Sequence, residues 1–103
     1  MPVRIEVLSF DGCPNRDVAL QRLHAAIDAE HVIAEVTEVT VKDPAAAESL
    51  QFLGSPTVRV NGVDVEPAAR SSDRFGFMCR TYLTEHGPQG APSIETMRAA
   101  LRA

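Results

Sequence analysis

Apolar residues take every second position at the start of the chain, at Val3, Ile5 and Val7, and then occupy both parities with Leu8 and Phe10. This alternation predicts a strand over residues 3–10, and the apolar run at its end suits a strand covered on both faces. The strand stops at Asp11-Gly12. From Pro14 the period lengthens: Leu20, Leu23 and Ile27, with Ala19 and Ala26 beside them, line one face of a helix expected to run to about Glu30. Valine and threonine return between Val32 and Val41, which predicts a second strand. Its alternation slips at Glu38 and Val39, pointing to a bulge or an edge position.

The second half of the chain is read from its punctuation. Asp43 before Pro44 is an N-cap followed by a proline at the first helical position, and the alanines after it continue a short helix to about Phe52. Thr57-Val58-Arg59-Val60 and Val63-Asp64-Val65 flank Asn61-Gly62, the strongest short-range signal for a type I′ hairpin. Residues 67–77 read as irregular, Phe77 to Glu85 as helical and His86 to Pro92 as a Gly/Pro loop. Ser93 then caps a last helix carrying Ile94, Met97 and Leu101. The first strand-helix-strand unit should be a right-handed crossover with parallel strands, and the hairpin adds an antiparallel pair. The expected fold class is therefore α/β, with a mixed four-stranded sheet flanked by helices.

A chain of 103 residues is long enough for one core and one domain, residues 1–103. Its net charge of -4 leaves no basic footprint for nucleic acid or an anionic membrane surface. No apolar run approaches the roughly 20 residues that span a bilayer. The stretch Met1-Pro2-Val3-Arg4-Ile5-Glu6 lacks the basic-then-apolar layout of a leader, so the expectation is a cytoplasmic protein without a membrane partner. Single glycines outside any G-x-G-x-x-G or P-loop pattern give no nucleotide site. His24 and His31, on or just after the first helix, and His86, in the later loop, stand in no zinc-ligand spacing with the cysteines. No cofactor and no structural metal are expected.

Chemistry concentrates on two cysteines. Cys13 lies where the first strand meets a helix start, in Phe10-Asp11-Gly12-Cys13-Pro14-Asn15-Arg16. Unpaired N–H groups and the positive end of the helix dipole favour thiolate over thiol at such a place. Some way downstream Gly54-Ser55-Pro56-Thr57 puts a proline at the mouth of another strand, and Cys79 follows between Met78 and Arg80. The plainer reading of either cysteine is a small apolar residue packed in the core; for Cys79 the neighbours Phe75, Phe77 and Tyr82 favour it. Two cysteines are too few for a disulfide framework.

Those residues resemble the thioredoxin and glutaredoxin superfamily. Cys13-Pro14 looks like the start of the glutaredoxin C-P-x-C motif, and Ser55-Pro56-Thr57 looks like the cis-proline segment of that superfamily. The resemblance implies a thioredoxin-like fold over roughly residues 3 to 66 and the last helix. It implies Cys13 as nucleophile, Pro56 as the cis-proline facing it, and backbone contacts from Ser55 to a thiol or disulfide substrate. Pro14, Asn15, Arg16 and Thr57 would complete the substrate-binding rim. The departure is Arg16, which stands where the second motif cysteine would be and excludes a dithiol within one tight turn. Arg16 could pair with an anionic substrate, while Asp11 and Asp17 oppose its field. If the chain is an enzyme, the implied activity is thiol-disulfide oxidoreduction by one thiol, resolved by an external thiol or by Cys79.

The downstream segment Phe77-Met78-Cys79-Arg80-Thr81-Tyr82, with the Gly/Pro loop after it, also resembles short bacterial thioredoxin-family proteins that are alkylmercury-lyase-like. That narrower resemblance implies handling of Hg(II) or organomercury by Cys13 and Cys79, soft ligands for a soft metal, with Asp11 or Asp17 as proton donor. A third reading is a thioredoxin-like binding module without catalysis. The missing second cysteine and Gly12, in place of the aromatic residue typical of thioredoxins, support it.

Overall fold

The computed structural model describes residues 2–103; Met1, the first residue of the stretch read against a leader, lies outside them. The most apolar segment became the centre of the sheet. β1 (Val3–Ser9) lies between β2 (Ala34–Thr40), parallel to it, and β3 (Thr57–Val60), antiparallel to it, and β4 (Val63–Asp64) closes the order β2-β1-β3-β4. Ile5, Val7 and Leu8 are almost wholly buried, as a strand covered on both faces requires. The β1–β2 register runs unbroken from Val3↔Ala34 to Ser9↔Thr40. The slip at Glu38 and Val39 is thus the mark of an edge strand with exposed Glu35, Thr37 and Glu38, and no bulge interrupts the pairing.

Odd positions of β1 turn to one face, where Ile5 and Val7 join Val58 and Val60 beneath α1 (Arg16–Glu30) and α3 (Ile94–Arg102). Ala19, Leu23 and Ala26 of α1 meet Met97 and Leu101 of α3 in the same cluster. Glu30, at the end of α1, ties the two helices through Arg98 at 2.8 Å and Arg102 at 3.5 Å. Leu8 turns to the other face, where Val41, Ala47 and Phe52 cover it from α2 (Pro44–Ser49) and its flanks. The layers are α1 and α3, the sheet, and the short α2.

Local signals explain most boundaries. Asp43 accepts from the Ala46 N–H at 2.8 Å and Ser93 from the Thr96 N–H at 3.1 Å, each capping its helix. Asn61 and Gly62 both have positive φ, 51° and 82°, as a type I′ turn demands. His31 ends α1 in the left-handed region, and His24 is exposed on its outer face. A single 3₁₀ turn at Pro67–Ala69 interrupts the irregular stretch after the hairpin.

Two boundaries differ from the sequence expectation. α1 starts at Arg16, two residues later than Pro14, because Phe10 to Arg16 form successive turns: the Cys13 N–H donates to the Phe10 carbonyl at 3.3 Å and the Arg16 N–H to the Cys13 carbonyl at 3.4 Å. The helix expected over residues 77–85 is absent. β5 (Tyr82–Thr84) and β6 (Gly87–Gln89) form a separate hairpin there. Tyr82 is buried, Leu83 exposed and Thr84 half-buried, a period of two that the short apolar run concealed. Thr84 Oγ1 closes the turn, donating to the Gly87 carbonyl at 2.8 Å and accepting from the His86 N–H at 3.1 Å. The molecule is thus mixed α/β with a four-stranded mixed sheet and helices. Among the described residues no helix is long and apolar enough to cross a membrane.

Candidate functional site

Ser55 is the junction at which the two cysteine-bearing segments meet. The Ser55-Pro56 bond is cis, and Ser55, Pro56 and Thr57 are buried at the entrance to β3. The Ser55 hydroxyl accepts the Phe10 N–H at 3.3 Å, one turn before Cys13. On its other side Ser55 forms a parallel β-bridge with Cys79: the Ser55 N–H donates to the Met78 carbonyl at 2.8 Å, and the Arg80 N–H donates to the Ser55 carbonyl at 3.0 Å. The backbone of Cys79 therefore lies one strand spacing, about 4.8 Å, from that of Ser55. Bridge partners project their side chains to the same side of the ladder, so Cys79 stands on the side of the Ser55 hydroxyl.

Both cysteines are free thiols, Cys13 half-buried and Cys79 exposed. The core packing that the neighbours of Cys79 suggested does not occur. Phe77 instead turns back to the residue after β1, its ring 5.2 Å from that of Phe10 and tilted by 36°. Residues 77–81 form a strap laid along the Ser55 edge, and every one of them except Arg80 is exposed.

Beneath the strap lies a buried polar network. The Arg80 guanidinium grips the Asp64 carboxylate through two hydrogen bonds of 2.7 and 2.9 Å and donates to Thr57 Oγ1 at 3.3 Å. Its carbon Cζ sits 4.3 Å from the centre of the Tyr82 ring. Thr57 in turn donates to the Gly54 carbonyl at 2.6 Å, and the Tyr82 hydroxyl donates to the Pro56 carbonyl at 2.6 Å. Burial would lower the Arg80 pKa, but the bond to Asp64, with the negative charge around it, outweighs burial and holds the guanidinium ionised with its pKa raised. Burial drives the Tyr82 phenol the other way, well above its ordinary range, against the pull of Arg80.

Gly54 makes the close approach possible. With φ at 115°, it brings its backbone under Arg80, where an added Cβ would lie 2.9 Å from the Arg80 Cβ.

The remaining rim residues divide. Pro14 is exposed, as are Asp11 and Gly12. Asn15 makes no capping hydrogen bond; its side chain packs against Gly90, where an added Cβ would overlap it. Arg16 Nε is buried without a hydrogen-bond partner among the described residues, and Asp17 Oδ1 lies 3.6 Å from it. Thr57 is turned inward, with its hydroxyl engaged by Gly54 and Arg80. The amide and carbonyl of Ser55 are engaged by the strap. On the side of Met78, an open groove of about 640 Å³ runs between Leu53, Tyr82 and Leu83.

Asp64, Arg80 and Tyr82 were not singled out from the sequence. The one available hint was Asp64 between two valines in a hairpin arm. Comparison with family models, with curated proteins and with solved structures found no match.

Proposed function

We propose that this chain is a thioredoxin-like thiol–disulfide exchange protein in which Cys13 attacks and Cys79 resolves. The observation that carries the reading is the position of Ser55, hydrogen-bonded to the segment before Cys13 and bridged directly to Cys79. Two thiols that lie 66 positions apart in sequence, too distant for a C-x-x-C turn, are carried by segments that flank Ser55, one on each side.

The chemistry is a two-electron exchange. The Cys13 thiolate attacks one sulfur of a substrate disulfide; that S–S bond breaks, the outer sulfur leaves as a thiolate with the electron pair, and a mixed disulfide forms on Cys13. The Cys79 thiolate then attacks the Cys13 sulfur, releasing the second substrate thiol and closing a Cys13–Cys79 disulfide. The substrate is reduced, the two protein thiols are oxidised, and an external thiol pair restores them. Because the strap occupies the Ser55 backbone, the substrate meets a rim of exposed Asp11, Gly12 and Pro14 on one side and Phe77, Met78 and Cys79 on the other.

The test is exposure of the reduced protein to glutathione disulfide, followed by acid quench, alkylation and mass analysis. The wild type should close an internal disulfide, Cys79→Ser should stop at glutathione on Cys13, and Cys13→Ser should form no internal disulfide. A wild-type chain carrying glutathione on both cysteines and no internal bond overturns the reading.

A further inference from the structure

We infer that Arg80 is the positioning residue of this site: its buried pair with Asp64 fixes the backbone that carries Cys79, and so sets the encounter of the two thiols. The inference rests on the two-thiol reading above. Arg80 is the one buried residue of the strap, and its side chain is gripped by β4 through Asp64, by β3 through Thr57 and by the Tyr82 ring of β5. Its own N–H closes the bridge to Ser55 on the far side of Cys79 from Met78. Residue 79 is thus held at both flanks while its side chain stays free.

Stability alone gives little reason for such a pair. Both side chains are only 7% exposed, and a buried ion pair is often replaceable by apolar residues of similar shape without loss. What apolar packing lacks is direction. The planar guanidinium makes two parallel bonds to one carboxylate, which specify its orientation as well as its place. Gly54, where an added Cβ would lie 2.9 Å from the Arg80 Cβ, leaves the strap no slack on that side. Seating Arg80 therefore seats Cys79, its neighbour in the bridge to Ser55.

The experiment measures the Cys13–Cys79 disulfide at equilibrium in glutathione redox buffers, which gives the effective concentration of one thiol at the other. Asp64→Leu with Arg80→Met keeps the space filled and removes the directional bonds. Its effective concentration should fall about tenfold or more, the scale of a small misplacement of reacting groups, with the loss in the closing step rather than in attack by Cys13. Arg80→Lys, which keeps the charge without the fork, should fall between the two. A folded double variant that closes its disulfide as well as the wild type overturns the inference and leaves the two-thiol reading standing. A wild type that closes no disulfide overturns both. Should the double variant fail to fold, hydrogen exchange in the wild type decides: Ser55 and Arg80 amides as protected as those of β1 support the inference, and exchange at the rate of open chain overturns it.

Discussion

The Tyr82 hydroxyl donates to the Pro56 carbonyl across 2.6 Å, from a strand 26 positions further along the chain. Pro56 has no N–H, and the buried turn it makes leaves its carbonyl in need of a donor. Tyr82 therefore joins the small hairpin to the site while its ring carries the Arg80 guanidinium. Removing the hydroxyl alone, in Tyr82→Phe, should cost about 1–3 kcal/mol because the acceptor stays buried and unpaired. Urea unfolding monitored by circular dichroism checks the figure; an unchanged midpoint would mean that water reaches the Pro56 carbonyl.

The same tyrosine gives the fold an alkaline limit. Burial raises its pKa in the folded state above the ordinary phenol value of about 10. Above that value the unfolded chain releases the proton and the folded chain keeps it, so the folded state binds more protons and stability falls as pH rises. The contribution is fully present below about pH 10 and declines by up to about 1.4 kcal/mol per pH unit above it. Tyr82 is the chain's single tyrosine, so tyrosinate absorbance reports on it alone and should emerge together with unfolding. Tyr82→Phe should lack this part of the alkaline decline.

Gly54 is the position at which an added methyl does most harm. Gly54→Ala would place a Cβ 2.9 Å from the Arg80 Cβ and 3.3 Å from the Arg80 Cα and the Met78 carbonyl oxygen, on a residue with φ of 115°. Backbone atoms cannot swing aside as a side-chain tip can, so the strap itself has to lift. The strained conformation alone accounts for about 1–3 kcal/mol. A denaturant midpoint within error of wild type would show that the strap is loosely seated.

How far the sequence was legible depended on range. β1, the Asn61-Gly62 hairpin and the caps at Asp43 and Ser93 are specified by residues within a few positions of one another, and each formed where its pattern placed it. The site is built from pairs 16, 23, 26 and 45 residues apart. Nothing local marks Arg80 as a core residue, because an arginine is ordinarily solvated and becomes burial-competent only with a specific carboxylate. The segment from Phe77 to Glu85 misled for a related reason: a short apolar run fits helix and strand alike, and the partners it meets, Ser55 for Cys79 and Pro56 for Tyr82, lie more than 20 residues away. The bridge between Cys79 and Ser55, 24 residues apart, had no local signal either.

Phe77 tests whether the strap is held at its near end. Phe77 is 42% exposed yet its ring packs on Phe10, so Phe77→Ala removes an aromatic pair worth about 0.5–1.5 kcal/mol. The global stability should drop by that pair contribution together with the burial lost from the covered part of the side chain. Local opening should change more: the Ser55 amide, which donates to Met78, should exchange faster while amides of β1 keep their protection. Equal acceleration at every amide would instead mean that the strap opens only when the whole chain unfolds.

The alternative reading of the two cysteines, a soft-cation site, also has a direct test, since two thiolates suffice for a linear Hg(II) site without a third side chain. If mercury is the natural ligand, the reduced protein should bind one Hg(II) per chain, and Cys13→Ser and Cys79→Ser should each abolish the tight site. Cleavage of a carbon–mercury bond would further need a proton delivered to carbon as the metal passes to the thiolates. Asp11, exposed on the turn before Cys13, and Asp17, 3.6 Å from Arg16, are the two carboxylates nearest Cys13 in sequence. Asp11→Asn or Asp17→Asn, whichever removes the donor, should retain Hg(II) binding and lose release of the hydrocarbon from an organomercurial. An unchanged Hg(II) stoichiometry in Cys79→Ser removes this reading and leaves disulfide exchange, in which the same variant halts at the mixed disulfide on Cys13.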